Sequence, residues 1–158
     1  MPITEAIPVT DNDEPVDVTQ NLTYRVIVLA NTLNRSASKM LSEEADLSVP
    51  EWRVIGLVGS QPGISFATLA QALDVDKGWV SRTVAQLEAS KLVARSPDPL
   101  DGRQFTLTLT RKGRSMHLKG SDVSRRRQAM LASQFTSAEL ATLTTLMDRL
   151  QKAAQDLL

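Results

Sequence analysis

Apolar positions recur along most of the chain at helical spacing. From Val18, the residues Val18, Leu22, Val26, Leu29, Leu33, Ala37 and Met40 step by four and three, which places them on one face of a long helix. Asp17, with Gln20 three residues on, predicts a capping pair at its start. Leu47-Ser48-Val49-Pro50-Glu51-Trp52 carries a second start signal. Ser48 and Glu51 match a capping box, Leu47 and Trp52 a hydrophobic staple, and proline is tolerated in a first turn. Trp52, Ile55, Val58 and Gly59 follow at core spacing until Gln61-Pro62-Gly63 ends the helix. Ser65 then caps a short helix with Leu69, Ala70 and Leu73 inward, and Asp74-Val75-Asp76 turns into the next. There Val80, Val84 and Leu87 form the apolar side, and Lys77, Trp79, Ser81, Arg82, Thr83 and Gln86 the other. Two short helices joined by a tight turn, the second polar outward, predict a helix-turn-helix.

Beyond it the period changes. Thr106-Leu107-Thr108-Leu109 alternates polar and apolar, as a half-buried strand does. Pro97-Asp98-Pro99-Leu100-Asp101-Gly102-Arg103 is a turn-rich tip between that strand and an earlier one. Thr110 is expected to cap a helix reaching about Ser133, with Met116, Val123, Met130 and Leu131 on its apolar side. Arg125-Arg126-Arg127 crosses that helix, and consecutive helical residues point about 100° apart. Solvated surface or pairing with acids of other helices is therefore expected of them, not a shared ligand. Phe135 to Leu140 combines a capping box and staple, and Leu140, Leu143, Met147, Leu150, Ala154 and Leu157 step 3-4-3-4-3.

The expected fold is mainly α with a small β-wing. A winged helix-turn-helix at 47–113 is flanked by a long helix at 17–46 and helices at 114–158, after an acidic tail at 1–16. The tail, with Pro2, Pro8 and Pro15 and no sustained period, reads as mobile, an interaction arm being the alternative. The terminal apolar faces predict a homodimer interface of Val18, Leu22, Val26, Leu29 and Leu33 with Leu143, Met147, Leu150, Ala154 and Leu157. The alternative is that the two helices pack on each other within one subunit.

Composition narrows the function. Formal net charge is zero, which would argue against nucleic acid were the charge uniform. Residues 76–127, however, hold twelve basic against five acidic side chains, a net +7, while residues 1–17 carry five acids and no base. The local field is what attracts phosphate. The chain has no cysteine and one histidine, which excludes thiol chemistry and Cys-based zinc sites; no metal or cofactor is expected. No apolar run approaches the ~18 residues of a membrane span, and no basic-then-apolar leader pattern is present. A cytoplasmic location without membrane contact is expected. Enzymatic activity is not: His117 stands near apolar helix positions, no Gly-rich phosphate loop occurs, and Glu43 and Glu44 are adjacent and face different ways.

The polar face after Asp76 suits double-stranded DNA. Lys77 and Arg82 suit phosphate or guanine, where arginine bonds bidentately to O6 and N7. Ser81 and Thr83 suit phosphates or base edges, and Arg95 or Lys91 further phosphates. Asp76 reads as an N-cap. Ser65 and Thr68 open a helix whose N-terminus can take a phosphate. Arg103 at the tip is expected in the minor groove, oriented by Asp101, the alternative being an ordinary surface pair. Trp79 fits either DNA contact, which the polar face favours, or burial. A winged helix used only as a protein-interaction module is the competing reading, and the +7 segment counts against it.

The helix from Lys77, with Lys91-Leu92-Val93-Ala94-Arg95, Asp98-Pro99-Leu100-Asp101-Gly102-Arg103 and Leu107-Thr108-Leu109-Thr110-Arg111-Lys112-Gly113, resembles the winged helix-turn-helix of MarR-type transcriptional regulators. Gly102 stands where that family usually has an arginine, and Trp79 where many members carry a small polar residue. The resemblance implies a dimeric regulator of a pseudo-palindromic operator, more often a repressor than an activator, released by a small, often aromatic, anion. The family's pocket lies where dimer helices meet the winged domain, so Tyr24, Trp52, Arg53 and His117 are its candidates here.

Overall fold

The computed structural model describes residues 17–98 and 104–158, which fall into two compact units, one ending at Leu33 and one spanning Asn34–Leu158. In the first unit the long helix starts later than the capping pattern suggested. The Asp17 carboxylate accepts the Thr19 N–H at 3.0 Å and its hydroxyl at 2.6 Å. That closes a 3-10 turn, Val18–Gln20, and Asn21 is extended after it. Helix α1 therefore runs Leu22–Ala45. Val18, Leu22, Val26 and Leu29 are all exposed, and Leu33 is half-buried.

In the second unit the last turns of α1 bury Leu41 and Ala45. Helix α2, Val49–Ser60, begins as its sequence dictates: the Ser48 N–H donates to Glu51 Oε2 at 2.8 Å, and the Glu51 N–H donates back to Ser48 Oγ at 3.3 Å. Then follow β1 (Ile64–Ser65), α3 (Phe66–Leu73), α4 (Lys77–Ala89), β2 (Val93–Pro97), β3 (Phe105–Leu109), α5 (Arg111–Ala132) and α6 (Ser137–Gln155). The sheet is antiparallel with order β1-β3-β2. Ile64 faces Leu107 in one ladder, and Val93 faces Leu109 and Arg95 faces Leu107 in the other. The two-residue β1 is an addition to the sequence reading, being too short to display a period of two.

Ile55, Leu69, Leu87, Leu107, Val54, Val58, Val80 and Val84 are fully buried and form one core with the sheet. Truncating a buried Leu or Ile of this kind costs about 2–5 kcal/mol, so the core fixes the pitch of α4 firmly. Helices α2 and α5 cross by mutual close approach: the His117 ring lies 2.7 Å from where a Cβ on Gly59 would stand, and the Trp52 indole blocks the same space at Gly120. Of the α5 apolar positions, Val123 is buried and Met116 packs on the core, but Met130 and Leu131 are exposed. The arginine run divides its partners, Arg126 pairing with Glu44 and Asp122 while Arg127 donates to Ser36 at 3.2 Å. Glu44 raises the Arg126 pKa most, followed by Asp122. Helix α6 has a complete capping box, Thr136 with Glu139, and no buried residue.

Candidate nucleic-acid interface

The helix-turn-helix is α3, a left-handed turn and α4. Asp74 caps α3 at φ +52°, a conformation that Asp tolerates better than most residues. Asp76 then caps α4, its carboxylate accepting the Trp79 N–H at 2.8 Å, which confirms a structural duty for this acid beside a basic face. Val80, Thr83, Val84 and Leu87 are buried along α4, and Lys77, Ser81, Arg82 and Gln86 are exposed on its far side. The Arg82 guanidinium lies back beside Gly78, near the helix N-terminus. A strip of cations and short donors is thus held on a helix whose other face is locked into the core.

Three residues expected to meet DNA, Trp79 with burial as its alternative, are engaged within the domain. Thr83 is 5% exposed and donates its hydroxyl to the Trp79 carbonyl at 3.1 Å. One position before Val84, it shares the buried stripe. Trp79 is half-buried against the core and lines a cleft of about 440 Å³ with Arg35, Ser48, Pro50 and Arg53. An indole finds its large apolar partner in the domain itself. Arg95 is engaged too, its Nη2 lying 2.8 Å from Glu88 Oε2 and its guanidinium over the rings of Phe66 at 4.8 Å and Phe105 at 5.4 Å.

Ser65 is the N-cap of α3: the Thr68 N–H donates to its Oγ at 3.1 Å, and the two hydroxyls are 2.9 Å apart. Thr68 is exposed there. Asp101 and Arg103 lie outside the described residues. Lys77 borders a smaller cleft of about 320 Å³ with Phe66, Ala67, Arg95, Gln104 and Phe105, a neighbourhood that sequence spacing does not reveal.

A cleft of about 710 Å³ lies between α2, the end of α3 and α5. Trp52, Arg53 and His117 line it, with Ser121, Ser124 and Arg125. The Trp52 and His117 rings are stacked, with centroids 5.9 Å apart and planes 23° from parallel. Arg53 donates to the Leu73 carbonyl at 3.4 Å, at the end of α3. Tyr24 belongs to the other unit and is exposed on α1. Ser121, Ser124 and Arg125 were not singled out as ligand residues; their positions three and four apart on α5 are the signal that links them. Among the described residues no group of three or more His, Cys, Asp or Glu is placed to hold a metal ion, and no helix is long and apolar enough to cross a membrane.

A family model described as "MarR family" matches residues 45–104, from the end of α1 to the start of β3. The HTH-type transcriptional regulator BilQ of Clostridium symbiosum is 30% identical over 98 residues, covering 62% of this chain and 68% of that protein. The HTH-type transcriptional regulator TtmR of Methylorubrum extorquens is 29% identical over 107 residues, covering 68% of this chain. The chain spans 54% and 60% of the length of TtmR and of another curated relative. Among solved structures, a MarR/EmrR family transcriptional regulator from Acinetobacter sp. ADP1 superposes with a TM-score of 0.81 at 27% identity, covering 89% of this chain and 99% of that one.

Proposed function

The chain belongs to the MarR family, and from that premise we propose that it is a sequence-specific DNA-binding transcriptional regulator. The observation that carries this reading is the division of α4: Val80, Thr83, Val84 and Leu87 are buried, and Lys77, Ser81, Arg82 and Gln86 are presented outward. A helix held in this way can lay its outer face along a major groove, where arginine reads guanine and short hydroxyls reach base edges or phosphates. Ser65 and Thr68 at the N-terminus of α3 take an adjacent phosphate. Asp101 and Arg103 serve at the wing tip. The protein acts in the cytoplasm as a homodimer on two inverted half-sites about 10 bp apart.

Its action is repression, relieved by a small anion. The stacked Trp52 and His117 rings with Arg53 and Arg125 beside them suit a planar acid, and Arg53, bonded to the end of α3, links that cleft to the helix-turn-helix. Lys77, Arg82 and Arg103 from each of two subunits neutralise about six phosphates, so log K should fall with log salt at a slope of about −5. Fluorescence anisotropy on a duplex selected from random DNA, titrated across salt, measures this. A shallow slope, unaffected by five base pairs inserted between half-sites, would favour a partner protein over an operator. Added aromatic acids should release the duplex at fixed salt.

A further inference from the structure

Arg95 is a basic residue on the wing, yet its surroundings differ from those of Lys77 and Arg82. It stands on β2, and its Nη2 is 2.8 Å from Glu88 Oε2 at the end of α4. Its guanidinium lies over the face of Phe66, the first residue of α3, and over that of Phe105, the first residue of β3. One side chain thus ties both helices of the helix-turn-helix to both long strands. Phe105 is itself exposed, so burial alone does not explain why its ring is held there. Elsewhere β2 and β3 join α4 through the backbone at Lys91 and Leu92, where the Leu92 N–H donates to the Leu87 carbonyl at 2.8 Å. The inner ends of the strands are held besides by the β1 ladder and by buried Val93, Leu107 and Leu109, and Arg95 adds an anchor towards their outer ends, where Pro97 pairs with Phe105.

We propose that Arg95 is a positioning residue that sets the angle of the wing strands against the recognition helix α4 and does not neutralise a phosphate. This rests on the reading that α4 meets DNA. A phosphate arriving at Arg95, whose side chain is 33% exposed, would have to displace a carboxylate at hydrogen-bonding distance from a guanidinium that already lies over two aromatic faces. A planar cation over two rings is also a task that lysine's compact ammonium does poorly. Charge and shape therefore make opposite predictions at this position.

The test compares the affinity and salt slope of the full chain with those of Arg95→Gln, Arg95→Lys, Glu88→Gln and Phe105→Leu, on one selected duplex. Stoichiometric titration counts the binding-competent fraction of each, which removes any loss through misfolding. All four variants should weaken binding about three- to tenfold, the scale of one cation–π contact with its ion pair. All should keep the wild-type slope. If Arg95 meets phosphate, Arg95→Gln instead lowers the slope by about 1.8 per dimer. In that case Arg95→Lys also retains affinity, and Glu88→Gln strengthens binding by releasing the guanidinium. Any of those three results overturns the assignment. Wild-type protein that binds no selected duplex overturns the regulator reading, and the assignment with it.

Discussion

Lys91 holds φ at +58°, just past the end of α4. Its N–H donates to the Glu88 carbonyl at 2.9 Å, and the Leu92 N–H reaches back to the Leu87 carbonyl at 2.8 Å. This is a Schellman motif with lysine where glycine is usual. A side chain at left-handed φ costs roughly 1 kcal/mol or more, and Lys91 is exposed, so little burial offsets that cost. Lys91→Gly should therefore raise the unfolding free energy by about 1 kcal/mol, read as a higher urea midpoint at unchanged m-value. A lower midpoint would show that the lysine stem packs usefully along the turn. Thr83 teaches a different lesson at the same scale. Its hydroxyl suggested a base contact, but the spacing that buries Val80, Val84 and Leu87 also admits position 83, and its hydroxyl is satisfied within the helix by the Trp79 carbonyl.

Helix α6 shows how local chemistry supports an element that the monomer does not bury. Glu139 Oε2 accepts the Thr136 N–H at 2.7 Å and its hydroxyl at 2.9 Å. The backbone bond, then the hydroxyl bond, hold the Glu139 carboxyl below its ordinary range. Because the folded value is depressed, this support is complete above the ordinary glutamate pKa and fades as pH falls through the lowered folded value. Amide exchange at Thr136 and Glu139 should therefore quicken, relative to the helix centre, on acidification through that window. Glu139→Gln, which leaves no carboxyl to titrate, should abolish that dependence, and a wild-type profile flat in this window would count against the capping role. Both capping boxes, at Ser48 and Thr136, were legible in the sequence, since each is a local pattern of four residues. The start of α1 was not, because Asp17 closes its own turn with Thr19 before the helical ladder begins.

For the whole molecule, the apolar residues that remain uncovered matter most. Leu143, Leu146, Met147 and Leu150 are all exposed on α6, a run that a soluble monomer seldom leaves facing water. Leu150→Lys should convert a dimer into monomers or lower its association constant by at least tenfold, a loss of about 1.4 kcal/mol or more. Sedimentation equilibrium at micromolar concentration measures it, and a stably monomeric wild-type chain would refute the dimer. The order of the helices and the strand at Phe105–Leu109 were readable because each of these announces its own period. Trp79 and Arg95 were not readable, because Trp79 packs on the core beside a cleft that Pro50 and Arg53 also line, and Arg95 meets Phe66, Glu88 and Phe105, all outside its own strand. Polarity or charge alone placed both on the DNA face. The two sides of α4 finally bear on how such proteins diverge. Residues that hold the helix, Val80, Thr83, Val84 and Leu87, are not those it presents, Lys77, Ser81, Arg82 and Gln86. Exposed substitutions away from caps and core typically shift stability by no more than about 0.5 kcal/mol. A duplicated gene can thus explore new target sequences at nearly constant foldability, with the inner stripe as a fixed frame and the outer one as its variable text.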